Sequence, residues 1–183
     1  GFGHAVHCAK SFVGDEPFLL LLGDHVYASD SERSCARQLL DAYERFGRSV
    51  VGLKMQPADQ LDRYGCVTGD WTSYPTELSI TELAEKPDAG FARQRLRVDG
   101  LADDQFLTIF GQYVLDPAVF DYLDEMIDHN LREHGEFPFT PALDRLRRDH
   151  GLRGLLIQGR QFDIGQPEAY YQTMQEFRKS DRS

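Results

Sequence analysis

Phe18 to His25 reads FLLLLGDH, and the way this stretch ends decides the fold. Five apolar residues run without a polar break into Gly23, Asp24 and His25. Such a run predicts a strand over Phe18–Leu22 that lies centrally in a sheet and is covered on both faces. In open sheets built from strands and helices, ligands collect outside the carboxyl ends of the strands. A carboxylate at that point is either a turn residue where the strand surfaces or a ligand for a metal ion. Taken alone, the stretch favours the turn.

Working outward, the pattern predicts a helix over Ala5–Phe12 closed by VGDEP at Val13–Pro17. Asp30-Ser31-Glu32 can cap a helix running to about Phe46, with Leu39, Leu40 and Tyr43 on one face and Gly47 ending it. SVVGLKM, Ser49–Met55, reads as a second strand. Pro57–Leu61 forms a short helical turn, and RYGCVTGDW is a strand with a turn at Gly69-Asp70. LSITEL, Leu78–Leu83, alternates as a strand does, and the charged stretch from Glu85 to Gln105 reads as a surface excursion. FLTIFGQYVL, Phe106–Leu115, is the next strong strand, with Phe110 and Tyr113 as core. Asp116-Pro117 opens a helix to about Leu131 carrying core residues Phe120 and Tyr122. Pro141–Arg148 is a short helix, Leu152–Phe162 a strand pair or one bent strand, and Pro167–Phe177 a closing helix. Strands alternating with helices define an α/β layered domain with a mixed sheet, here a single domain over residues 1–183.

Composition narrows the function classes. The chain has 183 residues, 41% hydrophobic and 27% charged, ordinary for a globular protein. A formal charge of −10 argues against a general nucleic-acid binder, which needs a basic face. It leaves phosphorylated small molecules open, because a few cations in a cleft dominate the local field. No apolar run approaches the ~20 residues of a membrane span, and nothing resembles a signal peptide. Cys8, Cys35 and Cys66 form no CxxC pair or zinc pattern. They read as small buried residues of a reduced, cytoplasmic protein.

Four short stretches could carry chemistry, and each has an ordinary alternative. Asp24 and Asp163, the latter in RQFDIGQPEAY, both fit turns. Gly65 in RYGCV fits a bulge, and Glu85-Lys86-Pro87 fits a solvated strand end. Their order changes the balance. GFGHAV, LLLLGDH, RYGCV, ITELAEKP, FGQYVL, HGEFPFTPAL and RQFDIGQPEAY together resemble the bacterial UTP–glucose-1-phosphate uridylyltransferases. More widely they resemble the sugar-nucleotidyltransferases, thymidylyl- and guanylyltransferases included. The resemblance runs from Gly1 to about Phe177. It departs at the front, where the family's GGxGTRxxP loop and following lysine are absent. The chain, which opens on Gly1, is therefore expected to be the sugar-phosphate side of such an enzyme, inactive by itself.

The resemblance implies a nucleotide-diphospho-sugar transferase-like (Rossmann-like) fold lacking its N-terminal βα portion. It also implies Mg²⁺ held by Asp24 and Asp163, a metal type that takes carboxylates, phosphates and water. Lys86 matches the lysine on the sugar phosphate, and Glu85 the carboxylate on sugar hydroxyls. Gly65 matches the glycine that lets sugar approach the backbone, and Gly1 one near the nucleotide base. Gly111 and Glu136 correspond to further positions lining the sugar pocket. His25 stands where the family usually has Asp or a small residue, and no catalytic role is assigned to it. The implied reaction joins UTP and glucose 1-phosphate into UDP-glucose and pyrophosphate. A thymidylyl donor, or a non-catalytic sugar-phosphate-binding module, is the alternative. Expected partners are a nucleoside triphosphate and a sugar 1-phosphate, with no nucleic acid and no membrane; homo-oligomerisation is left open.

Overall fold

A strand of eleven residues, ten of them buried, organises the molecule. In the computed structural model, which describes residues 1–165 and 167–180 but not the side chains of Asp163 and 177–180, that strand touches three neighbours. In chain order the elements are α1 (Phe2–His7), α2 (Lys10–Val13), β1 (Phe18–Leu21), β2 (His25–Ser29), α3 (Cys35–Phe46) and β3 (Val50–Pro57). A 3-10 turn (Ala58–Arg63) precedes β4 (Gly65–Trp71), β5 (Glu77–Glu85), α4 (Ala89–Arg95) and the long β6 (Gln105–Leu115). Then come α5 (Val119–Asp128), α6 (Thr140–His150), β7 (Arg153–Leu156), β8 (Gly159–Asp163) and α7 (Pro167–Ser180).

The main sheet has the order β1-β6-β3-β7-β5-β4, and β4 also bonds the first half of β6. β3 and β7 are parallel, and the other pairs are antiparallel. Separately, β2 and β8 form a two-stranded antiparallel ribbon.

Period-two alternation along β6 explains the layers. Leu107, Ile109, Tyr113 and Leu115 join the core under α1, α5 and α6. Val114 turns the other way, toward Leu39 and Ala42 of α3. Phe106 packs with Leu61, Cys66, Ala92 and Leu96 in a third cluster. Phe110, Tyr113, Phe120 and Tyr122 are all buried, as expected of core.

Several expectations need correction. β1 pairs only with β6 among the described residues, so FLLL is an edge strand, with Leu21 exposed. Phe18 and Leu20 still pack on one core and Leu19 on the other; burial on both faces and central position are separate properties. The first helix breaks into α1 and α2 around Cys8, which is exposed and not buried. α3 starts later than expected because Ser34, not the Asp30–Glu32 group, accepts the Arg37 amide. Gly69 is no turn. It occupies a bulge in β4, where an added Cβ would lie 2.0 Å from the Ser79 carbonyl oxygen. Within the supposed surface excursion, Asp88 caps α4, and Ala92 and Leu96 are fully buried.

Candidate functional site

The floor of the site is one face of β6. Ile109, Gly111 and Tyr113 follow at intervals of two, and each meets a different group of expected site residues. Near Ile109 stands Gly65, at the start of β4 and directly opposite Glu85 at the end of β5. A Cβ on Gly65 would lie 3.1 Å from Ile109 Cδ1 and 3.5 Å from Glu85 Oε2. Lys86 follows with φ +43°, a left-handed conformation uncommon for a residue with a Cβ. Its N–H donates to the Tyr64 carbonyl at 3.2 Å, and its Nζ lies 3.8 Å from Glu85 Oε1. The hydroxyl of Thr140, opening α6, donates to Glu85 Oε2 at 2.7 Å. Gly65, Glu85 and Lys86 are thus assembled as one group, with Thr140 orienting the carboxylate.

Gly1 and Glu136 form a second group. A Cβ on Gly1 would lie 2.6 Å from Glu136 Cβ and 3.1 Å from the Phe137 carbonyl oxygen, so only glycine lets α1 seat there. Phe2 packs edge-on against Phe139 at 5.0 Å and tilts against Tyr113 at 6.5 Å. This connects Gly1 and Glu136 to the Tyr113 end of the floor.

The third group contains the two aspartates. Asp24 is exposed in the turn between β1 and β2, and Asp163 ends β8. The ribbon pairs His25 with Asp163, and the Ile164 N–H donates to the Asp24 carbonyl at 2.8 Å. The main chains of Asp24 and Asp163 therefore run side by side; the Asp163 side chain lies outside what is described. Asp24 has no ion-pair partner among the described residues. Gly111, with φ +81°, faces this ribbon: a Cβ there would meet His25 Nδ1 at 2.7 Å and the Tyr27 hydroxyl at 2.9 Å.

Electrostatics links the groups. Burial raises the pKa of the Tyr113 phenol, and the Glu85 carboxylate and the neighbouring Tyr27 phenol raise it further. Burial also raises Tyr27, with Asp24 adding to the effect. Both phenols are therefore neutral hydroxyls across the physiological range. Cys66, beside Glu85, is pushed up to about 12, mainly by burial. Sequence reasoning missed Tyr27, Tyr113, Thr140 and Gln161. Alternation from Gly111 could have found Tyr113; nothing local distinguishes the others.

The layered mixed sheet is the nucleotide-diphospho-sugar transferase fold, and solved structures share it. An apo UDP-glucose pyrophosphorylase superposes with a TM-score of 0.82 over 99% of this chain and 61% of its own, at 24% identity. A UTP-bound UGPase from Acinetobacter baumannii gives 0.77 over 97% and 56%, also at 24%. The sequence matches the nucleotidyl transferase family over residues 1–180, and the chain belongs to that family. Among curated relatives, UTP–glucose-1-phosphate uridylyltransferase 2 of Staphylococcus saprophyticus is 33% identical over all of this chain and 57% of its own length. The UTP–glucose-1-phosphate uridylyltransferase of Bacillus subtilis is 32% identical over all of this chain and 56% of its own. The chain spans a little over half the length of these relatives.

Proposed function

We propose that the full-length protein transfers a uridylyl group from UTP to glucose 1-phosphate, giving UDP-glucose and pyrophosphate. The observation that supports this reading is the β2–β8 pairing, which sets the main chain of Asp24 beside that of Asp163. In this reaction a phosphate oxygen of the sugar phosphate attacks the α-phosphorus of the triphosphate. A new P–O bond forms as the bond to the departing pyrophosphate breaks in line. The sugar phosphate is already largely dianionic at neutral pH, its second pKa being ~6, so the chain need supply no general base. Its task is to hold two polyanions together. Lys86 places an ammonium on the sugar phosphate. Glu85, fixed by Thr140, accepts hydrogen bonds from sugar hydroxyls, and Gly65 leaves room for the ring.

Asp24 and Asp163 are the residues that would hold Mg²⁺. Hard oxygen donors on adjacent main-chain positions, with Asp24 exposed and not engaged in a described ion pair, fit that ion. When bound, it would supply positive charge at the transferring phosphoryl oxygens. The test is turnover by the full-length protein with UTP, dTTP and a panel of hexose 1-phosphates. UTP with glucose 1-phosphate is expected to give the highest kcat/KM. Asp24→Ala is expected to lower turnover by roughly a hundredfold or more, about 2.7 kcal/mol. Undiminished turnover by that variant would remove Asp24 from the site, and a preference for dTTP would reassign the donor.

A further inference from the structure

We propose that Tyr27 and Gly111 form a latch that seats the β2–β8 ribbon on β6 and so steadies the ladder that holds Asp24 beside Asp163. Among the described residues the ribbon shares no strand ladder with the main sheet, so side chains tie it down. At its far end Ser29 pairs with Gly159, and Gln38 of α3 ties the two strands down. The Gln38 amide donates to Ser29 Oγ and to the Gln158 carbonyl, each at 3.1 Å, and its Oε1 accepts from the Gln158 N–H at 3.0 Å. At the middle of β2, two residues from the pairing of His25 with Asp163, the Tyr27 hydroxyl donates to the Gly111 carbonyl at 2.9 Å. The Tyr27 ring packs on Phe110 at 5.2 Å beside it.

β6 is shaped to receive that bond. Val51 of β3 pairs with Tyr113 and Leu53 with Ile109, so Phe110, Gly111 and Gln112 oppose the single residue Gly52. The resulting bulge displaces Gly111 from the regular ladder and gives it its positive φ. Because Gly111 has no Cβ, His25 and Tyr27 can close onto it. Within the ribbon, the Gln161 amide donates to His25 Nδ1 at 2.7 Å and joins the two strands through their side chains. Tyr27 is thus a positioning residue: its hydroxyl and ring are engaged by Gly111 and Phe110, and it acts through the strand that follows the turn of Asp24. Gly111, expected among residues lining the sugar pocket, also lies against the ribbon through these contacts.

The latch presupposes the metal assignment proposed for the transfer reaction, and the experiment separates the two. Tyr27→Phe, made in the full-length protein, keeps the ring and removes the hydroxyl. In the metal-free protein, amide hydrogen exchange is expected to rise about fivefold in β2 and β8, the factor one ordinary hydrogen bond carries, and to stay unchanged in β3 and β6. Mn²⁺ affinity, read by titration calorimetry, is expected to fall by a similar factor while Tm moves little. Gln38→Ala serves as the control. It is expected to speed exchange near Ser29 and Gly159 and to leave Mn²⁺ affinity within twofold. Uniform exchange changes in Tyr27→Phe, or Mn²⁺ affinity lost equally in Gln38→Ala, would overturn the latch. A wild-type protein that binds no Mn²⁺ would overturn the metal assignment, and the exchange pattern would still decide whether Tyr27 holds the ribbon.

Discussion

Gly65→Ala separates a role in binding from a role in folding. An added methyl would lie 3.1 Å from Ile109 Cδ1, the far end of a flexible side chain, and 3.5 Å from Glu85 Oε2, ordinary contact. A rotation at Ile109 relieves the first, at under ~1 kcal/mol. Gly65 has no positive φ, so alanine in the strand returns roughly 0.5–1 kcal/mol through reduced unfolded-state entropy. The two nearly cancel, and Tm is expected to stay within about 4 °C of wild type. For the sugar the methyl has no such relief. It stands against Glu85, where the ring is proposed to lie, and displaces the ring by about 1 Å. Misplacement on that scale costs on the order of a hundredfold. The expected result for the full-length protein is therefore a drop in kcat/KM for glucose 1-phosphate of about a hundredfold, ~2.7 kcal/mol. KM for UTP should be nearly unchanged. Steady-state kinetics with each substrate varied in turn, together with a thermal melt, decides it. If the sugar's kcat/KM stays within threefold at unchanged Tm, Gly65 does not face the sugar.

Gly69→Ala should behave in the opposite way. Its Cβ would strike the Ser79 carbonyl oxygen at 2.0 Å and Ile80 Cα at 2.9 Å, main-chain atoms that cannot rotate aside. A loss of about 3 kcal/mol is expected, or roughly 6–12 °C in Tm, and a melt within 2 °C of wild type would contradict the bulge. The three cysteines should also differ. Burial raises Cys35 and pushes Cys66 up to about 12, so both stay protonated thiols at pH 8, while Cys8 is exposed. Titration of the native protein with a thiol reagent at pH 8 should modify Cys8 quickly and the other two only on unfolding. Fast modification of Cys66 would contradict its burial among Leu61, Ala92, Leu96 and Phe106.

What the sequence determined by itself was whatever depends on neighbours a few positions away. The run Phe106–Leu115 read as a strong strand and Phe110 and Tyr113 as core, and both hold in β6. The ordered motifs likewise identified the family and nominated Gly65, Glu85 and Lys86, which the fold assembles at adjoining strand ends. Tertiary structure alone decided matters set by distant partners. FLLL is apolar enough for a central strand, yet strand order places it at an edge. HVYAS became β2 because β8 pairs with it from the other end of the chain. Gly111 needs its freedom for a bulge opposite Gly52 and for the approach of Tyr27, neither visible in FGQYVL. The physical reason is common to all three: burial pattern is a local property of side chains, whereas register and strand order arise from hydrogen bonds between segments whose separation no local pattern encodes.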